Sequence, residues 1–188
     1  MTVGMALERL TGLRLFHNHM TIDLVLPFFE FGSPPFRRLV PEFRTRIFEE
    51  VATSELPGLI FTYVWALDDP TEKIFIDRLS DIFRVRGAGI HFVELAATLD
   101  ERLRRNETEL RLAEKRPKRN IEHSRRNLLA IEESHRLNTY GDFYYPESHL
   151  RIENTDLPPE SVAERIVDRF GLATAPDGGA GDPGPAAP

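Results

Sequence analysis

Cysteine is absent from the 188 residues, so neither a disulfide nor a thiolate metal site is open to this chain, and a reducing cytoplasm suits it. Also missing is an apolar run long enough to span a bilayer. The apolar residues near the N-terminus are spaced rather than contiguous, unlike a secretory signal, so a soluble cytoplasmic protein without a membrane partner is expected. Positive charge is in short supply as well. The formal net charge of -6 argues against general nucleic-acid binding. That deficit is uneven: between Arg102 and Arg126 ten basic residues face four acidic ones, a basic island that suits a small anion better than a long polyanion. No internal repeat is evident. From residue 172 onward Gly, Pro and Ala dominate, a composition that cannot bury enough surface to order itself. The expected organisation is one domain over 1–171 and a disordered tail over 172–188.

What is present is apolar periodicity. Val3, Ala6, Leu7 and Leu10 recur at helical spacing, Gly12 is placed to stop that helix, and Leu13 to Phe16 have strand length. His17 to Asp23 reads as a polar loop, and Leu24 to Pro35 is broken by Pro27, Pro34 and Pro35. A helix with a stripe of Phe36, Leu39, Val40, Phe43, Ile47, Phe48 and Val51 follows to Ala52, interrupted at Pro41. Gly58 to Leu67 is almost continuously apolar, the pattern of a strand buried on both faces of a parallel sheet. Pro70 to Arg86 is an amphipathic helix, Ile90 to Ala97 a strand, and Leu99 to Asn106 a helix. After the basic island come a helix over Ile121 to Leu137, a short strand over His149 to Glu153, and a closing helix with Val162, Ile166 and Phe170 buried. Strand and helix alternating with Gly and Pro punctuation is the grammar of a doubly wound α/β fold with a parallel sheet.

Several side chains stand where such a fold does chemistry, at the carboxyl ends of strands. His17, Asn18, His19 and Asp23 follow the first strand and are candidates for substrate contact; Asp23 is alternatively a helix cap. Two histidines flanking an asparagine also suit a metal-dependent nuclease, although further ligands at suitable spacing are missing. Asp68 and Asp69 end the strongest strand, either near magnesium or as the start of the next helix. Arg44 has the planar fork that grips a carboxylate or phosphate, or else it forms a surface ion pair. Asn154, Thr155 and Asp156 form a turn before the last helix.

The register of MTVGMALERLTGLRLF resembles the segment after the lysine of the phosphate-binding loop in small P-loop kinases, the shikimate kinase and adenylate kinase-like group. PEFRTRIFEE resembles the FRxxE region of their substrate-binding helix, and GLIFTYVWALDD the strand ending in an acid of a Walker B element. The resemblance covers about Met1 to Phe170. It implies a three-layer α/β/α fold whose first strand and GxxxxGK[ST] loop lie outside these residues, upstream of Met1, with Met1 where the family has its magnesium-binding Ser or Thr.

By the same resemblance, ATP and Mg2+ are the cofactors and the reaction is phosphoryl transfer to a small, anionic acceptor. Asp23 orients or deprotonates the acceptor hydroxyl, with His17, Asn18, His19 and Arg44 around the acceptor. Thr2, Arg102, Arg105, Asn154, Thr155 and Asp156 lie on the nucleotide side. Asp68 reaches magnesium through water. Arg111, Arg116 and Arg119 belong to a lid over the transferring phosphate. Removing the first strand from such a sheet leaves the runs at Gly58 and Ile90 either separated by a gap or paired with each other. An alternative is an inactive shortened relative that binds an anionic partner through the basic island.

Overall fold

The opening helix stops where its glycine predicts. In the computed structural model, which describes residues 1–107 and 121–175, α1 (Thr2–Thr11) ends at Gly12, whose φ of 74° lets its N–H reach back to Glu8 O at 2.8 Å. Only glycine takes that left-handed conformation without steric cost. The chain continues as β1 (Arg14–His17), α2 (His19–Val25), α3 (Pro34–Thr53), β2 (Leu59–Thr62), α4 (Pro70–Arg84), β3 (Phe92–Ala96) and α5 (Leu99–Asn106). After the undescribed segment come α6 (Ile121–Ser134), a 3-10 turn (Pro146–Ser148), β4 (His149–Glu153) and α7 (Pro159–Phe170).

Three boundaries differ from the sequence expectation. The polar stretch after β1 is helical from His19 rather than a loop, because Thr21 and Val25 on its inner side are buried against α3. Helix α3 runs unbroken through Pro41; its missing N–H costs one intrahelical bond, which the surrounding packing of Phe36, Val40 and Phe48 outweighs. The apolar run from Gly58 is regular only over Leu59–Thr62. A strand holds its regular form where it has neighbours to bond, and β2 has one on a single side.

Most consequential is the sheet. The expected doubly wound sheet is present as two separate parallel pairs, β1 with β2 and β3 with β4. Arg14 sits opposite Leu59 in the first, and Phe92 opposite His149 in the second. Helices cover β1 and β2 on both faces and β3 and β4 on one. On one, Val3, Ala6 and Leu7 of α1 meet Val162, Ala163 and Ile166 of α7 over Ile60, Val93, Leu150 and Ile152, so this layer touches strands of both pairs. On the other, Phe48 of α3 and Leu79 of α4 pack on Phe16, Leu59 and Phe61. Alternate residues of β2 thus point into opposite cores, as the pleat requires.

The pairs are also bridged after α6. Leu67 N–H donates to Arg136 O at 2.8 Å, and the Tyr144 hydroxyl donates to Leu67 O at 2.7 Å. The Tyr145 hydroxyl lies between Asp77 and Lys73 of α4 while its ring stacks on Phe92 of β3. Between β2 and β3 lies a cavity of ≈ 810 Å³, so of the two outcomes foreseen for these runs the structure has the gap. No described helix is long and apolar enough to cross a membrane.

Candidate functional site

The polar residues after β1 and the arginine of α3 meet because α2 packs along α3. Arg44 is 6% exposed, far from the surface ion pair such a residue ordinarily makes. Its Nε donates to Thr21 Oγ1 at 3.0 Å and its Nη2 to Asn18 O at 3.0 Å, while Thr21 Oγ1 itself donates to Asn18 O. The guanidinium lies over Phe61 at 5.9 Å and over Tyr63 at 5.8 Å from the ring centroids. Burial lowers its pKa, and Tyr63 and Glu72 work against that shift. A cation in such a place is held by hydrogen bonds and ring faces, and it attracts an anion more strongly than it would in water.

His19 and Asp23 occupy successive turns of α2, with His19 Nδ1 3.9 Å from Asp23 Oδ1. Asp23 stands inside α2, so it is not the cap of a following helix. His17 ends β1 and is buried. The structure therefore brings His17, Asn18, His19, Asp23 and Arg44 to one end of β1. It adds three residues that sequence reasoning passed over. Thr21 fixes the Arg44 fork. The Tyr63 hydroxyl donates to Glu72 Oε1 at 3.2 Å, and Ala66 N–H donates to Glu72 Oε2 at 2.6 Å. Burial raises the pKa of Glu72, and burial together with Glu72 drives that of Tyr63 well above the ordinary phenol value. Their sequence signal was faint: a tyrosine just past the strongest strand and an acid in the first turn of α4.

Other candidates have internal partners. Asp68 Oδ1 accepts from Arg136 N–H at 2.9 Å and Oδ2 lies 3.5 Å from His135 Nδ1; the backbone bond holds its carboxyl below the usual range. Asp69 caps α4 by accepting from Thr71 N–H at 2.8 Å. Arg105 donates from Nη2 to the carbonyls of Asn154 and Thr155 at 2.7 and 2.9 Å and from Nη1 to Asn154 Oδ1 at 3.3 Å. Those three expected nucleotide-side residues thus form a clamp. Arg102 pairs with Glu132 at 2.6 Å, Thr2 opens α1, and Asp156 is exposed. Arg111, Arg116 and Arg119 lie outside the described residues. No group of three or more His, Asp or Glu side chains gathers to hold a metal among the described residues. Nor does a glycine cradle occur in the sequence, so the residues present do not by themselves fit ATP and Mg2+.

The structure is similar to that of the Deinococcus radiodurans tunicamycin resistance protein, a protein of P-loop kinase-like fold. The TM-score is 0.51 and the identity 22%, over 94% of this chain and 93% of that one. The likeness is one of fold. No family model matches the sequence, and no curated protein matches it.

Proposed function

We propose that this chain is the acceptor-binding body of an ATP-dependent phosphotransferase for a small anionic metabolite, within a doubly wound three-layer P-loop kinase-like fold. The observation that carries the reading is Arg44: a buried guanidinium fixed at two donors, walled by aromatic rings, at the same strand end as Asp23. An arginine so placed presents its remaining donors to a carboxylate or phosphate, while Asp23 accepts the hydrogen bond of an acceptor hydroxyl and orients it.

ATP and Mg2+ supply the phosphoryl group and its charge neutralisation when bound. Holding them takes a glycine loop that residues 1–188 do not contain, and a strand to carry it fits between β2 and β3. In this reading the Arg105–Asn154–Thr155 clamp, past the carboxyl ends of β3 and β4, serves the nucleotide side, and Arg111, Arg116 and Arg119 form the proposed lid.

The test has two steps. Translating the DNA upstream of Met1 in frame is expected to reveal an apolar strand followed by GxxxxGK; a stop codon there instead overturns the reading. The longer polypeptide is then expected to bind ATP by calorimetry and to turn it over with an anionic acceptor, and tunicamycin belongs in the acceptor screen because of the structural neighbour. Arg44→Ala in that polypeptide is expected to raise the acceptor KM at least tenfold and to leave ATP affinity unchanged. The binding-protein alternative gains little from four of the five described arginines of the island, since Arg102, Arg104, Arg105 and Arg125 face acids of this chain.

A further inference from the structure

A soluble helix ordinarily buries its apolar stripe in the core, so large apolar side chains left outside in rows mark a contact surface. The α2–α3 pair carries two such rows. Met20 and Leu24 stand one turn apart on α2, and the chain keeps turning past its end: Phe28 and Phe29 N–H both donate to Val25 O, which sets Phe28 a further turn along. Phe43 and Ile47 are one turn apart on α3. Leu24, Phe28, Phe29 and Phe43 share one groove with Val25 and Leu39, so its lining is entirely hydrocarbon. Phe28 is 76% exposed, Phe31 a little further on 74%, and the other five exposed members between 36% and 54%. With about 200 Å² for a fully exposed side chain of this size, they present roughly 700 Å². That exceeds the ~300–600 Å² of the largest patch on a typical monomer and comes near the ~800 Å² that each partner contributes to a standard interface.

We propose that this face is where two copies of the chain pair, groove to groove about a two-fold axis, with α2 and α3 of one copy laid across α2 and α3 of the other. Residues 108–120 and 176–188 hold only two large apolar side chains, Leu110 and Leu112, too few to cover it. Charge selects protein over a membrane surface. Helices that lie on anionic lipid are lined with Lys and Arg, whereas this chain has no lysine before Lys73. The exposed charges nearest the rows in sequence, Glu30, Arg38, Glu42, Arg46 and Glu50, carry both signs. Arg46 and Glu50 satisfy each other across one turn, and Arg38 meets Glu30 or Glu42 of a rotated copy, so the border complements its own two-fold image. Each copy offers both the groove and, in Phe28 and Phe31, rings that stand out to fill its partner's. Helix α2 packs chiefly on α3, so a copy laid over both braces from outside the helix that carries Asp23.

This pairing goes beyond the phosphotransferase reading and does not need it, since none of these apolar side chains belongs to the proposed acceptor site. Sedimentation velocity of residues 1–188 from about 1 to about 200 μM is expected to show a monomer–dimer equilibrium and nothing larger, because a two-fold contact closes on itself. Phe28→Ser and Phe31→Ser should each weaken the dimer by about tenfold or more. Far-UV circular dichroism should stay unchanged in both, because these rings already lie mostly in solvent. Val85→Ser is the control: Val85, at the end of α4, is as exposed as Phe28 but lies outside the groove, and its loss should leave the dimer intact. A chain that stays monomeric over the whole range overturns the proposal. So does a dimer that both phenylalanine variants leave intact, as pairing through strand edges would be, or one that Val85→Ser weakens equally. Growth beyond the dimer also overturns it, as does a monomer that pellets with vesicles of phosphatidylcholine and phosphatidylglycerol, which would make the face a membrane contact.

Discussion

The two strand pairs are built alike and secured differently. β1 and β2 are held by aromatic packing: Phe48 meets Phe16, Phe61 and Phe83 at centroid distances of 6.1, 5.2 and 5.7 Å, in an apolar cluster that carries no carboxylate and has the Arg44 guanidinium over Phe61. β3 and β4 share the apolar layer of α1 and α7 but carry on their other side a buried polar knot. There Glu94 accepts from the Thr139 N–H at 3.1 Å and hydroxyl at 2.6 Å, and lies 3.4 Å from both His149 and Arg151. The Arg105 clamp extends the knot past the end of β4. Apolar packing is insensitive to pH, whereas the knot contains His149, whose pKa burial lowers, so that half answers to pH through the imidazole. One chain therefore holds two halves with different vulnerabilities.

The largest way to break this comparison is Phe48→Ala, which empties the centre of the aromatic half. A loss of about 3–5 kcal/mol is expected by denaturant unfolding, with little pH dependence in the difference. Next comes Glu94→Leu, which strands the Thr139 donors and should cost about 1–3 kcal/mol. Burial already lowers the His149 pKa and Glu94 opposes that shift, so the same variant should move His149 lower still by NMR titration. Glu94→Gln keeps an acceptor for Thr139 and should recover most of the stability but not the His149 shift. Gly4→Ala sharpens the contrast from the α1 side. Its Cβ would sit 2.7 Å from Leu15 Cδ1, the flexible end of a side chain, so a cost of about 1 kcal/mol is expected, confined to the β1 half.

The smallest effect is electrostatic. Hydrogen bonds from Arg104 and then Arg105 bring Glu101 from 4.5 to about 2. Its folded value lies below its unfolded one, so its contribution is whole above pH 4.5 and is lost as the pH falls towards 2. Glu101→Gln should therefore lower the neutral plateau slightly and flatten the acid limb of the stability profile, so that the two proteins converge near pH 2.

Much of this was readable from residue order because each element's ends carry local chemistry. Gly12 and Gly171 close α1 and α7 in the left-handed conformation, Asp69 and Pro70 open α4, and His149 to Glu153 form a strand as expected. For the runs at Gly58 and Ile90 residue order left two outcomes open, a gap or a pairing, and the structure has the gap. Sequence could not show how far the apolar run from Gly58 stays regular, because its length depends on a neighbour and not on its own residues. It also could not choose between a surface ion pair and a buried fork for Arg44. That outcome depends on α2 folding against α3, a tertiary event with no signature in the PEFRTRIFEE segment itself. Asp68 was ambiguous for a similar reason, its partners Arg136 and His135 lying far along the chain.

The parallel pairing has a kinetic corollary. Each ladder joins residues as remote in sequence as Arg14 and Leu59, or Phe92 and His149, with no hairpin to start either one. High contact order slows folding, because loop closure must come before the contacts that reward it. Refolding from denaturant should therefore be sluggish for a chain this rich in helix, with the helices gained early and each ladder closing late.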